Sequence, residues 1–180
     1  FAAILAGESG VVFAVDEWPD VLRRIKTPDR RLHLALPDML ADLVRLLASP
    51  APVADANFPF TLSAGERRSF TANTIIRDAS WRKRDAHGAL RVSVADAAAA
   101  GLVDGGMALL STPRGSAQVA VEVSEMMQPG HVSLPNGMGL DEGGVRVGVA
   151  PNDLTSGADR DWIAGTPWHK SVPARLTAVG

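Results

Sequence analysis

In the last two thirds of the chain, hydrophobic positions form short runs in which they alternate with polar positions. Such runs predict β-strands, because successive side chains of an extended segment point to opposite faces of a sheet. Glycine and proline turns separate them, and about seven short strands favour a closed barrel, since closure leaves no unpaired edge. The predicted strands are residues 58–62, 90–92, 107–112, 117–123, 131–134, 145–149 and 174–179.

One helix is predicted within this β-rich region. Ser93 and Asp96 have the spacing of a capping box, residues 97–100 are alanines that favour helix, and Gly101 suits the left-handed position after the last turn. Farther on, Pro113, Arg114, Gly115 and Ser116 separate two alternating runs. They predict a hairpin turn between two strands.

The first third of the chain mixes helical and strand patterns. It predicts strands at residues 10–14 and 32–36, a helix from Trp18 to about Ile25, and a helix from Pro37 whose leucines share one face. A proline- and alanine-rich stretch, residues 49–57, then predicts a domain boundary. We expect residues 1–56 to be part of an incomplete α/β domain with its linker, and residues 57–180 to form the main domain. Because the chain begins at Phe1, we expect it to be a piece of a longer protein.

Composition narrows the classes of function. The net charge of −2 and the mean hydropathy of +0.07 indicate a globular domain with no overall attraction to nucleic acid or anionic membranes. The absence of cysteine excludes disulfides, thiolate metal sites and a cysteine nucleophile in this chain. No apolar run approaches the roughly 20 residues of a membrane span. We therefore expect a cytoplasmic location and no membrane partner.

Charge is nevertheless uneven along the chain. The segment from Glu66 to Arg91 contains seven basic and three acidic residues, so it has a local excess of four positive charges. Arginines bind phosphates through two parallel hydrogen bonds, and Phe70 and Trp81 could stack on a ring. The segment fits an anionic aromatic ligand, but also a solvated basic loop or a site for single-stranded nucleic acid. The last alternative predicts steeply salt-dependent binding, and the overall acidity argues against it.

Familiar catalytic and nucleotide motifs are missing. Residues 137–143 miss the G-x-G-x-x-G fingerprint by one position, and no glycine-rich loop ends in a Gly-Lys-Ser or Gly-Lys-Thr motif. There is no G-x-S-x-G elbow. The histidines are far apart in sequence and form no metal-ligand pair; they are His33, His87, His131 and His169. We therefore predict no catalytic residue and no protein-ligated metal in this chain.

A set of short segments, in a fixed order between residues 58 and 177, carries a family resemblance. The segments are residues 62–67, 73–74, 92–97, 101–105, 114–116, 123–132 and 151–155, followed by Lys170. Together they resemble the molybdopterin-dinucleotide-binding domain, which is the C-terminal domain of molybdenum and tungsten oxidoreductases of the dimethyl sulfoxide reductase superfamily. Formate dehydrogenases and nitrate reductases belong to that superfamily.

The resemblance implies a mainly β fold, a six-stranded double-psi β-barrel with flanking helices, and a site for molybdopterin guanine dinucleotide. The implied cofactor-binding residues are Gly65, Glu66, Arg67, Asn73, Thr74, Asn136, Asn152, Thr155 and Lys170. In the family the pterin and upstream domains ligate the molybdenum or tungsten, and any iron–sulfur cluster also lies upstream. One departure is Asp153, which stands where the family often has proline and could alter how Asn152 is presented.

The implied function is cofactor binding within a bacterial oxidoreductase, with the remaining domains as partners. The isolated chain should then be folded but inactive. Two alternatives stay open. Similar barrels serve as protein-interaction modules, and others belong to self-processing pyruvoyl decarboxylases, which cleave a Gly-Ser bond such as Gly115-Ser116.

Overall fold

We analysed a computed structural model of the 180-residue chain. The structure describes residues 1–7, 10, 12, 15, 17–50, 55–66, 87–161 and 164–179. The chain divides into two compact units, Phe1–Pro50 and Ala51–Gly180. Assignment of residues 1–56 to a neighbouring domain remains a prediction.

In the described residues of the first unit there are three helices: α1 (Ala2–Ala6), α2 (Trp18–Val21, continued by a 3₁₀ turn at Leu22–Arg24) and α3 (Pro37–Ala48). The helices predicted from Trp18 and from Pro37 are present, and in both a proline occupies the first turn, where its missing N–H costs nothing. Helix α1 was not predicted. None of the helices in the described part of the chain has the length and apolar character needed to span a bilayer.

Neither strand predicted for the first unit is observed as a strand in the described residues. Residues 32–36 join no β-ladder among the described residues, so that prediction is wrong. Alternation of apolar and polar residues makes a strand only where another strand pairs with it, and no described segment does so here. The strand predicted at residues 10–14 lies mostly outside the described residues.

The second unit is a closed six-stranded β-barrel with the strand order β1-β5-β2-β4-β3-β8. Its strands are β1 (Phe60–Glu66), β2 (Leu90–Ser93), β3 (Met107–Ser111), β4 (Ser116–Ser124), β5 (His131–Pro135) and β8 (Val172–Ala178). A separate two-stranded ladder pairs β6 (Asp141–Glu142) with β7 (Val145–Arg146). The mainly β, double-psi barrel prediction is confirmed.

Two of the neighbouring strand pairs, β1 with β5 and β2 with β4, are parallel, and the other pairs are antiparallel. Parallel pairing places the carboxyl ends of β1 and β5 side by side. Because β8 runs antiparallel to β1, its first residue, Val172, pairs with Leu62 near the same end. One end of the barrel therefore gathers the residues that follow β1, follow β5 and precede β8.

The barrel interior is filled by alternate residues of all six strands. Leu62, Leu90, Leu110, Val132 and Ala174 have no solvent exposure. Burial of one leucine side chain stabilises a fold by about 1.5–3 kcal/mol, so this core supplies the main stabilising term. The strand predicted at residues 145–149 is shorter than expected, since only Val145 and Arg146 pair. Gly148 has a φ of 68° and interrupts the extended conformation.

The predicted helix within the barrel is α4 (Val94–Ala99). The Ser93 hydroxyl accepts a hydrogen bond from the Asp96 backbone N–H (3.1 Å) and donates one to the Asp96 carboxylate (2.7 Å). At the other end Gly101 has a φ of 65°, and the next N–H, of Leu102, bonds back to the Ala97 carbonyl (2.8 Å). This is a Schellman motif, as the glycine predicts. The predicted hairpin turn between β3 and β4 is also present.

Candidate functional site

A cavity of about 750 Å³ opens at the barrel end where β1 and β5 finish and β8 begins. That volume is in the range of small-molecule sites, roughly 300–1,000 Å³. Nine residues line it: Ser63, Ala64, Gly65, Glu66, Asn136, Pro151, Asn152, His169 and Lys170. Five of these belong to the set that the family resemblance implied, although they come from four separate parts of the sequence.

The first wall is the end of β1, where Gly65 forms a β-bulge. The pairing with β5 shifts between Ala64 and Glu66, so Gly65 is an extra residue in the ladder. Its φ of 90° is a conformation that residues with a Cβ rarely adopt, and no atom lies within 4 Å of the position a Cβ would take. Glycine is thus required by the backbone and leaves open space at the cavity wall.

The bulge also sets the direction of Glu66. Ala64 faces the core, and the extra residue lets Glu66 share the outer face of the barrel with Ser133. The Glu66 carboxylate accepts hydrogen bonds from Arg91 (2.6 Å) and from the Ser133 hydroxyl (2.8 Å). Arg91 also donates to Glu122 (2.8 Å). The acidic group is therefore part of a polar network that joins four strands.

We expect Glu66→Gln to lower the free energy of unfolding by about 1 kcal/mol. The substitution removes the charge that Arg91 pairs with, while the side chains are 25% and 33% exposed, so solvent screening reduces the effect. Urea unfolding measures it. Glu125→Gln is the matched control, because Glu125 is exposed, and equal stability of the two variants would contradict a stabilising network.

The second wall is Asn136, directly after β5. Its backbone N–H donates to the Glu66 carbonyl (3.0 Å), which fixes it beside the end of β1. Its side-chain oxygen accepts a hydrogen bond from the N–H of Gly137 (2.9 Å). The amide N–H groups of the side chain can still donate to a ligand.

The loop between Asn136 and Asn152 folds back on itself through close glycine contacts. Gly139 donates its N–H to the Val147 carbonyl (2.9 Å), and a Cβ at Gly139 would stand 2.3 Å from the backbone nitrogen of Ala150. Met138 is 3% exposed and packs against Gly88 and Gly148. This return of the chain brings Asn152 to the same cavity as Asn136.

Asn152 lies in a 3₁₀ turn, Pro151–Asp153, at the floor of the cavity. The neighbouring Asp153 forms an ion pair with Arg146. Asp153, the residue expected to alter how Asn152 is presented, is thus engaged by Arg146 and does not line the cavity. Asn152 itself lines the cavity.

The last wall is His169 and Lys170, just before β8. The Ala64 N–H donates to the His169 carbonyl (2.6 Å), which ties this segment to β1. Within the described part of the chain, Lys170 forms no ion pair. Among the residues that the structure describes, it is the one lysine that lines this cavity.

A second cavity of about 460 Å³ shares Asn152 and His169 with the first. Its other lining residues are Arg114, Thr155, Ser156, Gly157 and Pro167. Thr155, another residue of the predicted set, falls here rather than in the larger cavity. Because Asn152 and His169 line both cavities, the two are adjacent, and we call the pair the barrel-end groove.

The predicted site residues thus have three outcomes. Gly65, Glu66, Asn136, Asn152 and Lys170 line the first cavity and Thr155 the second. Arg67, Asn73 and Thr74 lie outside the described residues. Their roles as cofactor ligands remain predictions.

His169 and Arg114 line the groove but are not among the predicted site residues. For His169 the signal in the sequence is its position next to Lys170. Arg114 belongs to a predicted turn, which is present, and to a segment of the family resemblance, but the packing of that turn is a tertiary feature that the sequence does not reveal.

The groove is suited to an organic anion rather than to a bare metal ion. Among the described residues no three His, Cys, Asp or Glu side chains are grouped so that they could hold a metal. The polar groups that line the two cavities include amides, hydroxyls, an ammonium and a guanidinium. Groups of these kinds recognise the edges of heterocycles and phosphates. Such a donor set fits a pterin nucleotide.

Comparison with known structures supports the fold. Acetylene hydratase from Pelobacter acetylenicus has a similar structure, with a TM-score of 0.59 and 18% sequence identity. The match covers 68% of this chain and 19% of that one, so the chain spans about a fifth of the length of this relative. No curated protein sequence matches the chain.

Comparison with protein families identifies the second unit. The family described as "Molydopterin dinucleotide binding domain" matches residues 60–173, which is well over half of the chain and runs from β1 into β8. The match covers both cavities of the barrel-end groove. The chain therefore belongs to the molybdopterin dinucleotide binding domain family.

Proposed function

We propose that this chain is the cofactor-binding domain of a molybdenum or tungsten oxidoreductase, and that it holds bis(molybdopterin guanine dinucleotide) in the barrel-end groove. The observation that carries the proposal is the meeting of Gly65, Asn136, Asn152 and Lys170 around one cavity within the family match. The metal, when the cofactor is bound, supplies the two-electron chemistry. The chain supplies binding and orientation.

The residues of the groove divide this work by their chemistry. The ammonium of Lys170 attracts an anionic ligand and donates to its oxygen atoms, and the amides of Asn136 and Asn152 pair with the donor and acceptor edges of a pterin or guanine ring. Gly65 lets the ligand approach the backbone closely. The groove needs no general base and no nucleophile for this role.

The parent enzyme, in this proposal, is a bacterial, cytoplasmic, formate dehydrogenase-like oxidoreductase. Its other domains complete the cofactor site and supply the metal ligand. Alone, the chain binds the cofactor weakly and has no redox activity, because it covers only one side of the ligand.

The test is a titration of the 180-residue chain with guanosine monophosphate, followed by amide NMR. We expect shifts at the groove residues, and we expect Lys170→Gln to weaken binding about tenfold, the effect of one charged hydrogen bond. The matched control is Lys26→Gln, an exposed lysine in the first unit. An amide spectrum indifferent to the nucleotide would overturn the proposal.

The alternatives predict other results. A protein-interaction module captures a partner without nucleotide, and nucleic-acid binding by the basic 66–91 segment loses affinity steeply with salt. Self-processing at Gly115-Ser116 changes the intact mass. In the structure Ser116 begins β4 and its hydroxyl bonds to that of Ser111 (2.8 Å), a role that accounts for the serine within the hairpin.

A further inference from the structure

We propose that the second cavity of the barrel-end groove is the phosphate subsite of the domain, with Arg114 and Thr155 as its principal ligands. The inference rests on the proposed function, since it names the part of the nucleotide that this cavity takes. Neither the family match nor the resemblance assigns a role to Arg114.

The first observation is a buried hydroxyl. Thr155 is 8% exposed and lines the second cavity, yet its side chain forms no hydrogen bond with any described residue. Buried hydroxyls nearly always have a partner, because an unpaired one loses its hydration without compensation. A ligand oxygen in the cavity would provide that partner.

The second observation is an available guanidinium. Arg114 is exposed at the tip of the β3–β4 hairpin and lines the same cavity, and among the described residues it forms no ion pair. A planar guanidinium matches two phosphate oxygens at once. The Ser156 hydroxyl and Gly157 complete the lining on that side.

The third observation is that the protein fixes Arg114 relative to Thr155. The buried Thr112 hydroxyl donates to the Leu154 carbonyl (2.8 Å) and accepts from the Arg114 N–H (3.2 Å). Gly115 packs so closely on the Asp153 carbonyl that an added Cβ would stand 3.3 Å from it. The hairpin turn and the segment that carries Asn152 and Thr155 are therefore joined, as a preorganised site requires.

The charged and polar groups differ between the two cavities. The Glu66 carboxylate in the first cavity accepts hydrogen bonds from Arg91 and Ser133, and the cationic groups are Lys170 in the first cavity and Arg114 in the second. Asn152 and His169 lie where the two cavities meet. Phosphate oxygens belong with Arg114 and the hydroxyls, and the asparagine-lined cavity takes the heterocycle.

The experiment compares Arg114→Gln and Thr155→Val with the unaltered 180-residue chain, using guanosine monophosphate and inorganic pyrophosphate as probes. We expect Arg114→Gln to weaken both about tenfold and Thr155→Val to weaken them several-fold. Pyrophosphate should shift the amides of Arg114, Ser156 and Gly157. Arg31→Gln, in the first unit, should bind as the unaltered chain does.

The outcomes separate this inference from the function on which it rests. If the unaltered chain binds guanosine monophosphate, Lys170→Gln weakens it, and Arg114→Gln does not, the phosphate subsite is overturned and the proposed function stands. If the unaltered chain binds no nucleotide, both are overturned. Urea unfolding of each variant confirms that a loss of binding is not a loss of fold.

Discussion

Replacing Gly139 with alanine should lower the free energy of unfolding by about 3 kcal/mol or more. The new Cβ would stand 2.3 Å from the Ala150 nitrogen, a backbone atom that cannot rotate away, and the φ of 78° is itself unfavourable for alanine. Relief of the clash requires the chain segments around Gly139 and Ala150 to move apart. Asn136 and Asn152 would then lose their common cavity, so nucleotide binding should fall together with stability.

Gly144→Ala is the matched control for this prediction. Gly144 has nearly the same φ, 81°, but no atom lies within 4 Å of its Cβ position. The substitution should lower the free energy of unfolding only by the cost of placing alanine at a positive φ, about 1–2 kcal/mol. Urea unfolding of the two variants side by side gives the steric part by difference. Equal stabilities would contradict the close approach of Gly139 to Ala150.

The second large effect is expected from Leu154→Ala. Leu154 has no solvent exposure and lies between Asn152 and Thr155 in the sequence. Its carbonyl accepts a hydrogen bond from the Thr112 hydroxyl. Removing its side chain should lower the free energy of unfolding by about 3 kcal/mol, since leucine truncation in a core leaves a cavity. Residues 151–155, which carry Asn152 and Thr155, would then no longer be held against the core.

Leu140→Ala removes the same atoms at a residue that is 40% exposed, and should cost about 1 kcal/mol or less. Unfolding in urea compares the two variants, and the nucleotide titration then reports whether the groove is altered. A Leu154 variant as stable as the Leu140 variant would show that the 151–155 segment is not held by the core.

The barrel was predictable because its strands obey local rules. Alternation at residues 107–112 and 117–123, with a turn between them, already specifies a hairpin, and the Ser93 cap and Gly101 bound the helix. Residues 32–36 alternate equally well and form no strand, because pairing depends on a partner that local pattern does not reveal.

The site was predictable only through the order of its motifs. Nothing near Gly65 in sequence indicates that it lines one cavity with Lys170, since that arrangement depends on β8 pairing beside β1. The bulge at Gly65 and the return of the chain at Gly139 are tertiary features as well. Arg114 was missed for the same reason: a turn residue gains a role from what its turn packs against, here Leu154.

The position of β8 in the barrel has a consequence for biosynthesis. It pairs with both β1 and β3, so the polypeptide leaving the ribosome cannot close the barrel until residues 172–178 have emerged. Before that moment β1 and β3 each present an unpaired edge, and the wall formed by Lys170 is missing. The cavity that Lys170 lines is therefore complete only after β8 has been synthesised and paired.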